Sequence, residues 1–249
     1  MTLIDFFKKS PQVAVAFSGG VDSSYLLHEA KKYACRIHAY TIHSPFQPAF
    51  EIEDAKHLAE KLEVPMTIIP ADILAVPEVV ENGPNRCYYC KQAAFSLILK
   101  AAKADGFSLV IDGTNASDDV NDRPGMKALK ELQVRSPLRE CGLSKAAIRE
   151  ASKKAGLFTH DKPSYACLAT RIPTGSSIQL EDLKRVEAAE NRLFALGFKG
   201  FRARLMGNMV RLELPENQFE LLIRKRQDVQ RELSYYFERI VLDLEPREE

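Results

Sequence analysis

The first half of the chain alternates short β-branched runs with amphipathic helix patterns. The predicted strands cover residues 13–17, 36–42, 66–70 and 108–112. Apolar residues at three- and four-residue spacing predict helices over 23–33, 51–62, 91–106 and 144–156. This alternation is typical of βαβ units, which build a parallel sheet covered by helices on both faces. Because such sheets bind ligands at the carboxyl ends of their strands, we expect the functional residues there.

The pattern changes after residue 160. Residues 161–176 contain prolines, a glycine and several hydroxyl side chains, which favours an irregular segment lining a cleft. Beyond it we predict helices over 179–196 and 216–236, and strands over 201–206, 209–215 and 239–244, with a Gly207-Asn208 hairpin turn. The sequence thus predicts an α/β parallel-sheet domain over 1–160, a linker over 161–176 and a smaller α+β domain over 177–249.

Composition narrows the class of protein. The 249 residues are 45% hydrophobic, and no run approaches the roughly 20 apolar residues of a membrane span. The first residues, "MTLIDFFKKSPQ", do not resemble an export signal, so we expect a cytoplasmic protein that does not bind membranes. A net charge of +1 disfavours a broad nucleic-acid surface and suits small charged ligands.

The strongest chemical signal is the loop "SGGVDSS", which lies between a predicted strand and a predicted helix. Two adjacent glycines allow backbone conformations that turn several amide groups toward an anion, and the start of the helix adds a favourable dipole. The loop has neither the Gly-Lys-Ser/Thr of the common phosphate loop nor the dinucleotide-binding fingerprint. It nevertheless predicts a phosphate site.

This loop resembles the SGGxDS signature of the PP-loop ATP pyrophosphatase superfamily, whose domain has the adenine nucleotide alpha hydrolase-like fold. Its members cut ATP between the α- and β-phosphates and bind the departing pyrophosphate in the loop. The resemblance implies an ATP site in which Asp22 holds the loop or a Mg²⁺ ion. It also implies that phosphate is cradled by Ser18, Gly19, Gly20, Ser23 and Ser24.

The chain has five cysteines, an odd number that disfavours a disulfide framework. We expect Cys35 and Cys141 to pack as small hydrophobic side chains. Cys87 and Cys90 form a CxxC segment at a helix start that can present two thiolates to one metal, and Cys167 would join them only if its segment folds over the strand ends.

The residues alone leave several interpretations of the three thiols open. They could hold an iron–sulfur cluster with one open iron, or a zinc ion whose fourth ligand is Cys141 or His160. The CxxC pair could instead be a redox-active dithiol. In the last alternative these are plain thiols and Cys167 acts alone.

Five further motifs occur in a characteristic order. They are "NRCYYCK" (85–91), "DGTNASDDVNDRPG" (112–125), "VRSPL" (134–138), "YACLATRIPTG" (165–175) and "FRAR" (201–204). Together they resemble the LarE family of ATP-dependent sulfur transferases, which build the nickel-pincer nucleotide cofactor of lactate racemase. The resemblance covers nearly the whole chain. It implies a pyridinium mononucleotide substrate whose carboxylates are activated with AMP and converted to thiocarboxylates.

The resemblance also implies a role for the cysteines. In members with three such residues, the positions of Cys87, Cys90 and Cys167 bind a 4Fe-4S cluster whose fourth iron is open to exchangeable sulfide. Other members give up the sulfur of the cysteine that matches Cys167 and end with dehydroalanine. The family further implies a homo-oligomer, and a hexamer is the expectation that we carry over. The source of the sulfide is unknown.

Several charged residues are candidate site residues. Arg202 and Arg204 alternate on one predicted strand and so share a face, and the resemblance assigns them to the substrate phosphate. It also makes Lys91 and Arg123 candidates for contacts to ATP phosphates or the AMP group. Arg171 and Glu190 match positions near the reacting centre of the family. For all six residues, a solvated surface charge is the alternative.

Three rival functions follow from the same motifs. Some PP-loop enzymes use three cysteines and a cluster to thiolate a tRNA base, but the near-neutral charge and the lack of a recognisable RNA-binding module disfavour this function. An amide-forming ligase that uses ammonia would give the cysteines no role. A nucleotide-sensing module that binds ATP without chemistry is disfavoured for the same reason.

Overall fold

The computed structural model describes residues 1–118 and 124–248, and the chain divides into two compact units. The first unit comprises Met1–Val79 and Asn85–Lys162. The second comprises Val80–Pro84 and Pro163–Glu249. A short piece of chain from the first half therefore belongs to the second unit.

The first unit contains a parallel sheet of β1 (Gln12–Ala16), β2 (Arg36–His43), β3 (Met66–Pro70) and β4 (Val110–Ile111). The strand order is β3-β2-β1-β4, which confirms the predicted α/β class. The fourth strand is shorter than predicted, because after Ile111 the backbone turns away from β1 and the Asp112 amide donates to the Arg135 carbonyl.

Eight helices are described in or at the edge of this unit. They are α1 (Leu3–Lys9), α2 (Val21–Tyr33), α3 (Ala49–Lys61), α4 (Pro77–Val80), α5 (Arg86–Ala104), α6 (Pro124–Glu131), α7 (Pro137–Glu140) and α8 (Lys145–Lys154). The central strand β1 and helices α2 and α3 bury Val13, Val15, Leu26 and Leu58 completely. Each such side chain contributes about 1.5–3 kcal/mol by its removal from water, so this core fixes the strand ends firmly.

The strand order places a topological switch point beside β1. The chain winds from β1 through β2 to β3 on one side of β1, and β4 lies on the other side. The loops that leave β1 and β4 therefore run in opposite directions and open a crevice at the carboxyl edge. The loop that begins at Ser18 leaves β1 there, and Gly113 follows β4 at the same edge.

The second unit contains a three-stranded sheet of β5 (Arg202–Met206), β6 (Met209–Glu213) and β7 (Arg239–Leu242) in that order. Strands β5 and β6 form the predicted hairpin, which turns at Gly207 with φ +62°. Strand β7 pairs with β6 in parallel. Helix α9 (Leu180–Ala195) packs on β5.

The predicted single helix over 216–236 is wrong. A 3₁₀ turn at Glu216–Gln218 leads into α10 (Phe219–Arg224), and α11 (Arg226–Leu233) follows. Lys225 leaves helical geometry, with φ −99° and ψ 13°. The resulting change of direction allows α11 to bury Val229 and Leu233 while Ile223 of α10 remains exposed.

The segment Val80–Pro84 packs with residues 172–178 of its own unit. The Asn82 side chain donates to the carbonyls of Ile172 and Pro173, and its carbonyl accepts from the Gly175 amide. Asn82 has φ +55°, a conformation that asparagine tolerates better than most residues. Across the described residues, no helix is long and apolar enough to cross a membrane.

Candidate active site

The loop from Ser18 to Ser24 has the shape that its glycines permit. Gly19 has φ +73°, and a Cβ atom built on it would lie 3.1 Å from the Glu51 carbonyl and from the Ala55 amide nitrogen of α3. A larger residue is excluded both by this conformation and by these close contacts. The loop therefore lies directly against α3.

Hydroxyl groups hold the loop in place. Ser23 Oγ donates to the Gly20 carbonyl at 3.2 Å and accepts from the Ser18 amide at 3.3 Å. Gly20 is the N-cap of α2, where no side chain accepts from the first-turn amides. The amino end of α2 is therefore left to bind an anion, as the phosphate prediction requires.

Two polar atoms in the first turn of α2 are buried without a hydrogen-bond partner among the described residues. They are Asp22 Oδ1 and Ser24 Oγ. Buried polar atoms are nearly always paired, and a carboxylate oxygen without a partner suits the hard cation Mg²⁺. The Asp22 position thus fits the expected metal ion. Ser24 is completely buried, so its contact with phosphate stays a prediction.

The other oxygen of Asp22 is paired with Lys145, at the start of α8. Burial raises the pKa of Asp22, and the hydrogen bond and charge of Lys145 oppose this shift. The nearby charge of Asp118 raises the pKa further, whereas Arg149 lowers it. Lys145 was not predicted as a site residue, because 123 positions separate it from Asp22. The only signal near it in the sequence is the predicted start of a helix.

A second lysine approaches the same loop. Lys162 Nζ lies 2.7 Å from Asp54 Oδ2 and donates to the Gly19 carbonyl at 3.4 Å. Its side chain is only 13% exposed. Arg149 donates to the Lys162 carbonyl at 2.9 Å and so fixes this part of the backbone. No motif in the sequence identified Lys162 as a site residue.

The β4 side of the crevice is formed by the start of the "DGTNASDDVNDRPG" motif. A Cβ atom built on Gly113 would lie 2.8 Å from the Ser23 amide nitrogen, so only glycine fits against the start of α2. Asp112 is buried and accepts hydrogen bonds from the hydroxyls of Thr114 and Ser136. The motif therefore sets the distance between the two sides of the switch point.

Lys91 and Arg123 are the two other residues predicted to contact ATP. The Lys91 side chain lies against Gly125, where an added Cβ would be 2.9 Å from Lys91 Cδ. It therefore packs on α6, and its contact with phosphate stays a prediction. Arg123 lies outside the described residues.

The CxxC pair lies in the first two turns of α5, which begins at Arg86, five residues before its predicted start. Cys87 is exposed and Cys90 partly exposed, and their spacing puts both on one side of the helix. Between them, Tyr88 donates to Glu131 Oε2 of α6 at 2.6 Å, and Gln92 donates to the same oxygen at 2.9 Å. The turn that carries the thiols is thus fixed to α6.

The positions of the thiols bear on the predicted cluster. Throughout residues 1–118 and 124–248, no three His, Cys, Asp or Glu side chains are grouped so that they could hold a metal ion. The CxxC pair fits two ligand positions of a cluster, since both thiols are accessible and neighbouring. Cys167 belongs to the second unit. Cys35, which was expected to pack, is exposed because it follows the end of α2, whereas Cys141 is half-buried.

In the second unit, Arg171 and Glu190 form a buried two-point ion pair. Their atoms are 2.8 Å apart at Nε–Oε1 and 3.0 Å apart at Nη2–Oε2, and both side chains are 1% exposed. Burial alone would lower the pKa of Arg171, but the hydrogen bonds and charge of Glu190 outweigh it and the pKa is raised. Glu190 also accepts from the Tyr165 hydroxyl and the Ala203 amide.

This ion pair positions the turn that carries Cys167. Arg171 donates to the Ala166 carbonyl at 2.9 Å, and Cys167 is the N-cap of the 3₁₀ turn Leu168–Arg171. The Thr170 amide and hydroxyl both donate to the Cys167 carbonyl at 2.9 Å. The observed contacts make Arg171 and Glu190 positioning residues, and direct contact with the reacting atoms stays a prediction.

Arg202 and Arg204 share one face of β5 but have different surroundings. Arg204 donates to Glu213 Oε1 at 2.7 Å and to the Thr170 carbonyl. The Arg202 side chain makes no hydrogen bond or ion pair with any described residue. Burial and the charges of Arg247, Arg171 and Arg204 lower the pKa of Arg202 to about 10. A half-buried cation among other cations fits an anionic ligand.

Comparison with known proteins agrees with this geometry. A family model described as asparagine synthase matches residues 7–200. An uncharacterized protein of Synechocystis is 36% identical over 98% of this chain and 92% of its own length. The pyridinium-3,5-bisthiocarboxylic acid mononucleotide synthase of Lactiplantibacillus plantarum is 32% identical over 98% of this chain and 89% of its own. A tRNA-specific 2-thiouridylase of Clostridium botulinum is 27% identical over 60% of this chain and 52% of its own.

The parallel sheet, the glycine loop at its switch point and the match over 7–200 make the chain a member of the asparagine synthase family, with a PP-loop ATP-binding domain. More narrowly, the chain belongs to the LarE family of adenylating, ATP-dependent sulfur transferases, as its similarity to the Lactiplantibacillus synthase over nearly the full length shows.

Proposed function

We propose that this enzyme adenylates a carboxylate of a pyridinium mononucleotide and converts it to a thiocarboxylate. The name of the Lactiplantibacillus relative describes such a product. The observation that carries the assignment of the substrate is Arg202, a half-buried cation without a partner among the described residues. The 5′-phosphate of a mononucleotide would supply the missing anion.

In the first half-reaction, a carboxylate oxygen of the substrate attacks the α-phosphorus of ATP. The bond between the α-phosphorus and the bridging oxygen breaks, and pyrophosphate leaves into the Ser18–Ser24 loop. Asp22 would hold the Mg²⁺ that neutralises the phosphates, and Lys145 and Lys162 lie near enough to the loop to add positive charge. The product is an acyl adenylate, whose AMP is a far better leaving group than oxide.

In the second half-reaction, a sulfur nucleophile attacks the acyl carbon and AMP leaves. With hydrosulfide as nucleophile, the thiocarboxylate forms directly after loss of the sulfur-bound proton. With the Cys167 thiolate as nucleophile, a thioester forms. Removal of the Cα proton of Cys167 then breaks its Cβ–S bond, which releases the thiocarboxylate and leaves dehydroalanine.

We propose the first route, with Cys87, Cys90 and Cys167 as ligands of a 4Fe-4S cluster. Such a cluster would supply a bound, replaceable sulfide. The neighbouring, accessible thiols of the CxxC pair and the contact of Tyr88 with Glu131, which fixes their turn, support two of the three ligands. The second route remains the alternative for Cys167.

Iron and acid-labile sulfide should be measured in protein purified without oxygen. About four of each per chain are expected, with loss of both in Cys87→Ala and no change in Cys35→Ala, an exposed cysteine elsewhere in the first unit. Mass spectrometry after turnover separates the two routes. An intact Cys167 supports the cluster, whereas loss of the elements of H₂S from Cys167 in iron-free protein would establish the sacrificial route.

The substrate is tested with pyridinium-3,5-dicarboxylic acid mononucleotide, Mg·ATP and sulfide. Formation of AMP, pyrophosphate and a thiocarboxylate is expected in constant proportion. The partial match to tRNA-specific 2-thiouridylases makes tRNA the second candidate acceptor. AMP formation that depends on tRNA, with the mononucleotide inert, would replace the proposed function. The cytoplasmic location and the homo-oligomeric, hexameric assembly stay predictions.

A further inference from the structure

Strand β7 forms one edge of the three-stranded sheet, and no described strand pairs with its outer side. Its pairing with β6 contains no bulge. A free edge exposes unpaired backbone groups, which natural proteins commonly protect with lysine, proline or a bulge. Residues 239–244, "RIVLDL", contain neither lysine nor proline. The edge of β7 is therefore open to pairing with another strand.

The direction of the backbone groups decides how another strand can pair with β7. The Asp243 amide donates to the Leu212 carbonyl, beside β6, at 2.9 Å. Because the backbone groups of successive residues point to opposite sides of a strand, those of Ile240 and Leu242 point away from β6. An added strand can therefore form its hydrogen bonds with these two residues.

Apolar side chains beside this edge lack cover. Helix α10 has no buried residue, although four of its six residues are apolar. A groove of about 470 Å³ lies between Leu222 of α10 and Ile240 and Leu242 of β7. Ile223 is 75% exposed, and Leu244, just beyond β7, is 80% exposed. Apolar surface of this extent beside a free strand edge is typical of an interaction site.

Two charged residues flank the apolar part of the strand. Arg239 is exposed, and its side chain makes no hydrogen bond or ion pair with a described residue. Asp243 lies four positions further on and so belongs to the same face of the strand. Its Oδ2 is 3.5 Å from Arg211 Nε, a long contact that leaves the carboxylate able to accept further hydrogen bonds.

We propose that a second copy of this chain binds at this edge, with the two β7 strands antiparallel about a two-fold axis at Val241. Ile240 then exchanges both backbone hydrogen bonds with the partner's Leu242, as the outward direction of these groups requires. Arg239 lies opposite the partner's Asp243, and symmetry repeats this contact at the other end. The two strands would join the sheets of both copies into one.

Other registers lose one of these features. A shift by one residue would oppose the outward groups of Ile240 to those of Val241, which point toward β6. A shift by two residues would oppose Arg239 either to Val241 or to Glu245, and Glu245 lies beyond the end of β7. Only the register centred on Val241 satisfies both the hydrogen bonds and the charges within this strand and the residue after it.

This self-complementarity identifies the occupant as a second copy. One short segment supplies the free edge, the apolar side chains and both charges, which is the requirement for an isologous contact. Ile240 and Leu242 of the partner would lie on the face that carries the groove, where they would cover apolar surface beside α10. The proposal does not rest on the proposed substrate, and it goes beyond the expected homo-oligomer because it names the surface and the register.

Sedimentation of the full chain tests the surface. The wild type is expected to associate into an even number of chains. Val241→Lys places two ammonium groups opposite each other at the two-fold axis and should raise the dissociation constant of the pair about tenfold or more. Met206→Lys is the matched control, since Met206 is 41% exposed against 37% for Val241 and lies on β5, at the opposite edge of the sheet.

Urea unfolding of both lysine variants verifies that each is folded. A wild type that is monomeric or has an odd number of chains would overturn the proposal. Association of Val241→Lys as tight as that of Met206→Lys would also overturn it.

Charge reversal tests the register. Arg239→Asp brings two carboxylates together at both ends of the pairing, and Asp243→Arg brings two guanidinium groups together, so each variant alone should associate about tenfold more weakly. An equal mixture of the two variants restores opposite charges at both ends. Native mass spectrometry should therefore show pairs that contain one chain of each kind.

The control mixture combines Arg239→Asp with Asp228→Arg, which reverses an acidic residue of α11 outside the proposed pairing. It should recover less association, because it restores no opposite charge at position 243. If the two mixtures recover equally, or if the first remains as weakly associated as its components, the paired register is wrong and the proposal fails.

Discussion

Arg171 and Glu190 are joined by two hydrogen bonds of 2.8 and 3.0 Å, and neither side chain is more than 1% exposed. They are 19 positions apart, one on the turn after Cys167 and one on α9. The turn that presents the predicted sulfur-handling cysteine is therefore held by a charge pair that water does not reach. Such a buried ion pair fixes the position of the turn more than it adds to the net stability of the fold.

Removal of one member of this pair is expected to be costly. Glu190→Ala leaves the Arg171 charge buried and should lower the free energy of unfolding by about 3–5 kcal/mol. Urea denaturation measures the change. Replacement of both residues, Arg171→Met with Glu190→Leu, should recover much of the stability without recovering activity. Glu181→Ala is the matched control, because its pair with Lys184 is exposed and should matter by about 0.5 kcal/mol or less.

Binding of Mg·ATP should depend on pH through Asp22. Burial raises the pKa of this carboxyl, so its charged form is lost at a higher pH than in an exposed aspartate. The affinity for Mg·ATP should thus fall as the pH is lowered through this raised pKa. This fall is the acid limb of the pH profile, and Asp22→Asn should abolish it. Lys145→Met should move the limb to still higher pH, because it removes the main interaction that lowers the pKa.

Titration of Mg·ATP at a series of pH values measures this limb. Lys154→Met is the control, since its exposed pair with Glu150 lies on the same helix and should leave the limb in place. An unchanged limb in Asp22→Asn would assign it to another group.

Lys162 is expected to act on the nucleotide. Lys162→Met removes the contact of its ammonium group with the Gly19 carbonyl and with Asp54, and should raise the KM for ATP about tenfold, the effect of roughly 1.4 kcal/mol. Pyrophosphate release at varied ATP measures it. Lys56→Met, an exposed lysine of α3 paired with Glu53, should behave as wild type. Equal KM values in the two variants would limit Lys162 to a structural role.

Gly113 should tolerate no side chain. In Gly113→Ala the new Cβ would lie 2.8 Å from the Ser23 amide nitrogen, which must push the start of α2 from its place. We expect the free energy of unfolding to fall by about 1–3 kcal/mol. The binding free energy of ATP should lose a larger fraction of its value than the free energy of unfolding does. Gly83→Ala has open space around its Cβ and serves as the control in urea unfolding and nucleotide titration. Unimpaired ATP binding in Gly113→Ala would show that the loop adapts.

Local patterns predicted the parallel sheet and the loop between β1 and α2 well, because both depend on short stretches of sequence. The loop at Ser18, the hairpin at Gly207 and the CxxC pair at a helix start are examples. Pairings over long separations were not predictable in this way. Lys145 meets Asp22 across 123 positions, and the choice of partner depends on how α8 packs beside α2. The contact of Arg247 with the Gly200 carbonyl likewise depends on where the last residues cross the hairpin.

The helix predicted over 216–236 shows a different limit. Its apolar spacing is continuous, but the backbone at Lys225 leaves helical geometry. Of the two shorter helices, α11 buries Val229 and Leu233, whereas α10 has no buried residue. Apolar periodicity indicates which residues favour burial. It does not indicate whether one straight helix can bury all of them. Segment 80–84 shows the same limit, since Asn82 has partners at positions 172, 173 and 175.

That short segment makes the two units inseparable as gene fragments. A chain cut after Lys162 would carry residues 80–84 away from the carbonyls that receive the Asn82 side chain and from the Ile178 amide that donates to Val80. The first fragment would expose an orphaned loop just before the CxxC helix, and the second would lack a piece of its own fold. Exchange of the second unit between relatives therefore needs three junctions, at 79/80, 84/85 and 162/163, although a single crossover would seem enough.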